Sequence, residues 1–286
     1  MVVNCAVVGD PIDHSLSEVL HRAAYTVLDI PWNYQKIRVP QGNLQQFLDT
    51  LDTSWRGLSV TMPLKSEALS IASTSDLASN QARGSNTLVF EYDEHGKRQV
   101  HAYNTDVRGL THALVHTGWA FTEPSWILGG GATARSALLA IADLGIGEVN
   151  VLVRNVERAN GLKSVAEQCG IRLNFVTPEH LQNDTGLRMN GLVVNTLPSS
   201  ASIQEMGLVQ AKFHDQTRLY EVAYDHWPSE LAQTVMAQEG AVVSGITMLI
   251  EQAVLQLRLF LNGDMEQALP RELEILVAMR SSVPIP

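Results

Sequence analysis

Ser125-Trp126-Ile127-Leu128-Gly129-Gly130-Gly131-Ala132-Thr133-Ala134 is the stretch on which the fold turns. A short apolar run suited to a buried strand meets three glycines, and the helix-compatible residues 135–144 follow. The spacing is G-x-G-x-x-A. Gly129 allows a tight turn, Gly131 lets backbone N–H groups approach a pyrophosphate, and the small Ala134 permits a helix to lie close to the strand. The start of that helix adds partial positive charge. A glycine-rich turn without a ligand is the bland alternative, and the end of the next strand decides between the two.

Residues 148–153 form that next strand. An NAD-selective site places Asp or Glu after it, to accept from the ribose hydroxyls. This chain has Arg154 and Asn155 there, then Arg158. A guanidinium offers a planar, permanently charged fork to a 2′-phosphate, and Arg158, four residues on, reaches the same anion. NADP is therefore the expected cofactor, held by Gly129, Gly130, Gly131, Ala132, Thr133, Ala134, Arg154, Asn155 and Arg158. Solvated helix-end charges are the alternative for either arginine alone. Glu157 partly offsets their field.

Working outward, residues 173–176, 191–195, 219–223 and 241–243 read as further strands of a six-strand, doubly wound Rossmann-like sheet. Upstream, strands at 2–8, 32–39 and 57–61 alternate with helices at 18–28 and 43–51, which implies a second, mostly parallel α/β sheet. Residues 107–117 are helical. A last helix, 246–261, is stopped by Asn262-Gly263 and is free to pack back on the first domain.

Composition narrows the function classes. Hydrophobic residues make up 45% and charged residues 17% of the 286, an ordinary globular mixture. A net charge of -10 works against general affinity for nucleic acid or an anionic membrane, so an anionic ligand needs a few placed cations. Cys5 and Cys169 form neither a redox pair nor a metal-ligand spacing, which fits a reduced cytoplasm and no metal site. The N-terminus does not read as a signal peptide, and the longest apolar run is broken by Glu251, Gln252, Gln256 and Arg258. A soluble protein is expected.

Four polar stretches mark strand ends and turns: His14-Ser15-Leu16-Ser17, Ser59-Val60-Thr61-Met62-Pro63-Leu64-Lys65, Gly84-Ser85-Asn86-Thr87 and Asn104-Thr105-Asp106. In an open parallel sheet, ligands lie beyond the carboxyl ends of the strands, where such loops collect. Hydroxyls, an amide, an ammonium and a carboxylate suit a polyhydroxylated acid. At this point the chain resembles the shikimate dehydrogenase family over nearly its whole length. The resemblance rests on the paired serines followed by His21, on V-T-x-P-x-K at 60–65, on G-x-x-N-T at 84–87 and on N-T-D-x-x-G at 104–109. The glycine-rich turn with its arginines, Tyr224 after a late strand, and G-x-x-M-L-x-x-Q-A at 245–253 complete the ordered set.

The resemblance implies reversible NADPH-dependent reduction of 3-dehydroshikimate to shikimate in aromatic amino-acid biosynthesis. Residues 1–106, with 246–286 returning to them, would bind the substrate, and 107–245 the cofactor. Hydride delivery to a ketone builds negative charge on oxygen, so a positioned cation that also gives up a proton is required. Lys65 meets both demands, and the resemblance pairs it with Asp106. By the same resemblance Ser15 and Ser17 hold the substrate carboxylate, Thr61, Asn86 and Gln252 bind hydroxyls or that carboxylate, Tyr224 joins the substrate site and Gly245 the cofactor site.

Without the other motifs the serines read as helix caps, Asn86 as a turn residue and Tyr224 as an amphipathic core residue. Gln252, in an apolar helix, needs a partner, of which a ligand is one kind. Two departures touch the substrate side: Ser59 stands where the family usually has Asn, and Glu18 where it usually has Pro. The alternatives are a quinate/shikimate enzyme preferring NAD, another Rossmann oxidoreductase such as a tetrahydrofolate dehydrogenase, and a noncatalytic NADP-binding sensor. A monomer or homodimer is expected, with no nucleic-acid or membrane partner.

Overall fold

A computed structural model describes residues 2–183 and 188–284. Met1 and residues 285 and 286, the outer limits of the expected first domain, lie outside them. The chain divides into two units: one runs to Gly109 and resumes at Leu249, and the other spans Leu110–Met248.

The first unit contains β1 (Asn4–Gly9), α1 (Ser17–Leu28), β2 (Asn33–Arg38), α2 (Leu44–Asp49), β3 (Trp55–Val60), α3 (Lys65–Ile71), β4 (Thr74–Ser75), α4 (Leu77–Ala82), β5 (Thr87–Tyr92) and β6 (Arg98–Tyr103). The chain leaves it within α5 (Thr105–His116). Among the described residues its sheet has six strands in the order β2-β1-β3-β5-β6-β4. β1 runs parallel to β2 and β3, and β4 parallel to β6. β5 is antiparallel to β3 and β6, a hairpin absent from the sequence reading.

That hairpin decides where the polar loops go. Val8 is opposite Val60, Ser59 opposite Thr87, and Thr87 opposite Tyr103. Because β5 is reversed, its first residue lies at the carboxyl end of β3, and β6 ends there too. Loops 61–65, 84–86 and 104–106 are thereby gathered at one end of the sheet. Ala6, Val8, Leu58, Val60, Leu88 and Phe90 belong to the apolar core of this unit.

The second unit contains β7 (Ser125–Leu128), α6 (Ala132–Asp143), β8 (Glu148–Leu152), α7 (Gly161–Cys169), β9 (Arg172–Val176), α8 (Pro178–Asn183), β10 (Gly191–Asn195), β11 (Thr217–Glu221), α9 (Glu230–Ala237) and β12 (Ala241–Ser244). Among the described residues all its strand pairs are parallel, in the order β12-β11-β10-β7-β8-β9. This is doubly wound: the chain moves outward from β7 to β9, then restarts at β10 on the other side. The switch point between β7 and β10 is where such sheets open a crevice beyond the strand ends.

The chain returns to the first unit within α10 (Ile246–Asn262) and ends with α11 (Glu272–Ser282), which packs against α1. Gly57 seats α10: a Cβ there would fall 2.6 Å from the Phe260 ring and 2.4 Å from the Leu88 carbonyl. Among the described residues no helix is long and apolar enough to cross a membrane.

Candidate active site

Lys65 opens α3, directly after the loop that leaves β3. Its Nζ donates to Asp106 Oδ2 at 2.5 Å, and the two side chains are only 13% and 8% exposed. A pair so enclosed resists separation, since loss of either partner strands the other charge away from water. Asn104 fixes the carboxylate by capping α5: its Oδ1 accepts from the N–H groups of Asp106 (3.0 Å) and Val107 (3.3 Å), while its Nδ2 donates to the Gly84 carbonyl (2.8 Å).

Asn86 completes the pair's surroundings. Its Nδ2 donates to Asp106 Oδ1 (2.8 Å), Thr105 Oγ1 (2.9 Å) and Gln252 Oε1 (3.3 Å), and its Oδ1 accepts from the Thr105 N–H (2.8 Å). Gln252 reaches it because Gly109 lets α5 approach α10; a Cβ at Gly109 would fall 2.8 Å from Gln252 Cβ. The partners of the Gln252 amide are thus Asn86 and, through Nε2, the Leu249 carbonyl at 2.7 Å. Lys65, Asn86, Asp106 and Gln252 therefore form one hydrogen-bonded group.

Ser15 and Ser17 are buried before and at the start of α1, and Ser15 Oγ accepts from the Ser17 N–H at 3.3 Å. The residue in the capping position is Leu16, which supplies no capping side chain. The Ser17 carbonyl accepts from His21 Nδ1 at 2.8 Å. His21 is fully buried, stacks on Tyr34 with centroids 4.1 Å apart, and has its pKa pushed down to about 4 by burial. Glu18 pairs with Arg22 at 2.9 Å along the helix, so its charge has a local partner. Thr61 follows β3, anchored by its N–H to the Val8 carbonyl at 2.9 Å.

Ser59 is engaged on both sides by protein groups. It accepts from Tyr34 Oη at 2.6 Å and donates to Gln256 Oε1 at 2.6 Å. Gln256 Nε2 donates in turn to the Asn86 carbonyl (3.2 Å) and Thr87 Oγ1 (3.1 Å). Tyr34, Thr87, Asn104 and Gln256 were not singled out in the sequence as site residues. Thr87 and Asn104 carried a signal, since both lie in the polar stretches at 84–87 and 104–106, and so did Gln256, which follows Gln252 by four residues and lies on the same helix face; Tyr34 had none.

In the second unit, Gly129 has φ +107°, a conformation that glycine tolerates, and its N–H donates to the Leu152 carbonyl at 2.9 Å. A Cβ at Gly131 would meet nothing within 4 Å, so the turn leaves open space just before α6 begins at Ala132. No side chain caps that helix, Thr133 lies in its first turn, and Ala134 is fully buried beneath it. Arg154, Asn155 and Arg158, with Leu197 and Met206, line a cleft of ≈ 440 Å³ beside Gly129 and Gly130. Asn155 Oδ1 accepts from the Arg158 N–H at 2.9 Å, and Arg154 pairs with Glu205 at 3.1 Å. Open backbone N–H groups beside two guanidinium groups and an apolar wall fit a dinucleotide bearing a 2′-phosphate.

Tyr224 lies three residues beyond β11 and is partly buried. Gly245 joins β12 to α10 where a Cβ would fall 2.0 Å from the Val222 carbonyl, so close packing accounts for this glycine. Nearby, Glu221 accepts from Asn195 (3.1 Å) and Ser229 (2.6 Å), and burial raises its carboxyl pKa.

A model of the shikimate dehydrogenase substrate binding domain matches residues 7–88, a stretch that begins within β1 and carries β2, β3, Lys65 and Asn86. A shikimate dehydrogenase (NADP(+)) of a Jannaschia species is 31% identical over 253 residues, 87% of this chain and 88% of that one. One of Methanococcoides burtonii is 29% identical over 259 residues, 89% and 91% of the two chains. The crystal structure of Mycobacterium tuberculosis shikimate dehydrogenase superposes with a TM-score of 0.78 at 30% identity, covering 98% of this chain and 99% of that one. With identity at this level along almost all of its length, and a fold that superposes over nearly the whole of both chains, the chain belongs to the shikimate dehydrogenase family.

Proposed function

We propose that this protein catalyses the reversible NADPH-dependent reduction of 3-dehydroshikimate to shikimate. The observation that carries this reading is the enclosed contact between Lys65 and Asp106, with Asn86 held against the same carboxylate. NADPH, when bound, supplies the hydride that reduces the ketone. Lys65 faces the charge that grows on the carbonyl oxygen and gives it a proton, and takes that proton back in the oxidation direction. Asp106 orients the ammonium and accepts from a neighbouring substrate hydroxyl. Ser15 and Ser17 hold the carboxylate, Thr61, Asn86 and Gln252 bind hydroxyls, and Tyr224 contributes to the substrate site.

The first unit is read as the substrate domain and the second as the NADP domain. Backbone groups of residues 129–134 approach the pyrophosphate, Arg154 and Arg158 take the 2′-phosphate with Asn155 between them, and Gly245 permits a close approach of the chain. The names of the relatives, shikimate dehydrogenase (NADP(+)), support both the substrate and the cofactor. A cytoplasmic location is in keeping with the unpaired Cys5 and Cys169, and the assembly is a monomer or a homodimer.

The test compares shikimate and quinate, each with NADP and NAD, in wild type and Lys65→Ala. Turnover is expected on shikimate with NADP. The variant should lose roughly 10²- to 10⁴-fold in kcat while calorimetry shows NADP binding unchanged. A wild type that oxidises neither acid with either cofactor rejects the reading.

A further inference from the structure

We infer that Tyr34, Ser59 and Gln256 are positioning residues for the Lys65–Asp106 pair, acting through Thr87 and Asn86. This rests on the proposed shikimate chemistry. The observation is a run of hydrogen bonds that all point the same way. Tyr34 Oη donates to Ser59 Oγ (2.6 Å), Ser59 Oγ to Gln256 Oε1 (2.6 Å), Gln256 Nε2 to Thr87 Oγ1 (3.1 Å), Thr87 Oγ1 to Asn86 Oδ1 (3.0 Å) and Asn86 Nδ2 to Asp106 Oδ1 (2.8 Å).

Hydroxyls rotate and amides can be turned over, so direction in such a run needs anchors. Two backbone groups provide them. The Asn86 carbonyl only accepts, so the group of Gln256 that faces it at 3.2 Å is the NH₂. Oε1 then faces Ser59, which must donate, and Ser59 in turn receives the Tyr34 proton. At the other end the Thr105 N–H only donates, so the atom of Asn86 facing it at 2.8 Å is Oδ1. Nδ2 therefore faces the Asp106 carboxylate. Reversal of either amide would set oxygen against oxygen or N–H against N–H inside a region where water cannot compensate.

Every member of the run is nearly shut off from solvent: Tyr34 and Thr87 are 0% exposed, Gln256 and Asn86 2%, Ser59 3% and Asp106 6%. In such surroundings each bond polarises the next, and a half-satisfied network costs more than none. The Ser59 hydroxyl spends its proton on Gln256 and receives one from Tyr34, so its work is to transmit orientation. A ring stack on His21 holds the Tyr34 phenol at the far end. The consequence is a catalytic carboxylate whose Oδ1 is fixed by Asn86, leaving Oδ2 aimed at Lys65 Nζ.

The experiment joins a catalytic and a spectroscopic measurement on the full chain. Tyr34→Phe keeps the ring stack and removes one proton donor, Ser59→Ala interrupts the run, and Ser59→Thr preserves the hydroxyl. Side-chain amide resonances of Asn86 are followed by NMR, and kcat and KM for shikimate by steady-state kinetics, with thermal melting as the folding control. The Asn86 Nδ2 protons should shift in Tyr34→Phe and Ser59→Ala although Tyr34 does not touch Asn86. Coupling through a buried network should lower kcat roughly 5- to 20-fold with KM changed less than about twofold, and Ser59→Thr should restore it.

Folded variants with a stationary Asn86 resonance and wild-type kcat overturn the proposal and leave the shikimate reading intact. A loss confined to KM also overturns it, by making Ser59 a substrate ligand. A wild type inactive on shikimate rejects the activity itself, and the positioning role with it.

Discussion

His21 combines a fully buried ring, a neutral charge state and a hydrogen bond to the segment that carries Ser17. Burial pushes its pKa in the folded protein down to about 4, from the 6.5 of an ordinary imidazole. Between those limits the unfolded chain binds a proton that the folded chain refuses, so stability falls as pH drops from about 6.5 towards 4. The loss amounts to roughly 3 kcal/mol once the lower limit is passed. Urea unfolding at a series of pH values should show this slope in wild type, and His21→Phe should flatten it relative to wild type. Single residues differ in how legible they are. Lys65, Asn86 and Asp106 announce themselves by residue type beside strand ends. The engagement of Ser59 does not, because it depends on a tyrosine from β2 and a glutamine 197 residues away reaching one hydroxyl.

At the scale of elements, the turn between β7 and α6 was readable because glycine spacing states its own backbone demands. The six parallel strands of the second sheet followed from the alternation of apolar runs with helices. The β5–β6 hairpin escaped notice. Its strands carry charged and polar residues, Glu91, Arg98, Gln99 and His101, whose alternation is masked by two-sided burial at 87–90. The cofactor loop makes a prediction of its own. Arg154 already holds Glu205, so on the proposed reading an incoming 2′-phosphate would displace a carboxylate from an exposed pair, which costs little. Replacing Arg154 and Arg158 with Ala should weaken NADP far more than NAD in calorimetry. Glu205→Gln should tighten NADP about two- to fivefold, in line with loss of a competing surface charge pair, and leave NAD nearly unchanged. Equal losses for both dinucleotides in the arginine variant would reject the 2′-phosphate role.

At the scale of the whole molecule, the first unit is made from both ends of the chain while the second is an uninterrupted insertion. Leu269, Ile275, Met279 and Val283 are buried in the terminal segment, and Arg271 donates to the Val27 carbonyl at the end of α1. At roughly 1.5–3 kcal/mol each, these four side chains rival the total stability of a domain. A chain stopped after Gly263 should therefore lose shikimate binding, measured by calorimetry, yet keep NADP binding in the second unit. Retention of shikimate binding would show that α11 is dispensable. The same discontinuity has a temporal side. On the ribosome, residues 110–248 are complete and able to fold while Asn86 and Ser59 still await the glutamines of α10. A nascent chain thus completes the parallel sheet of the second unit before the proposed acid–base pair gains the glutamines that surround it.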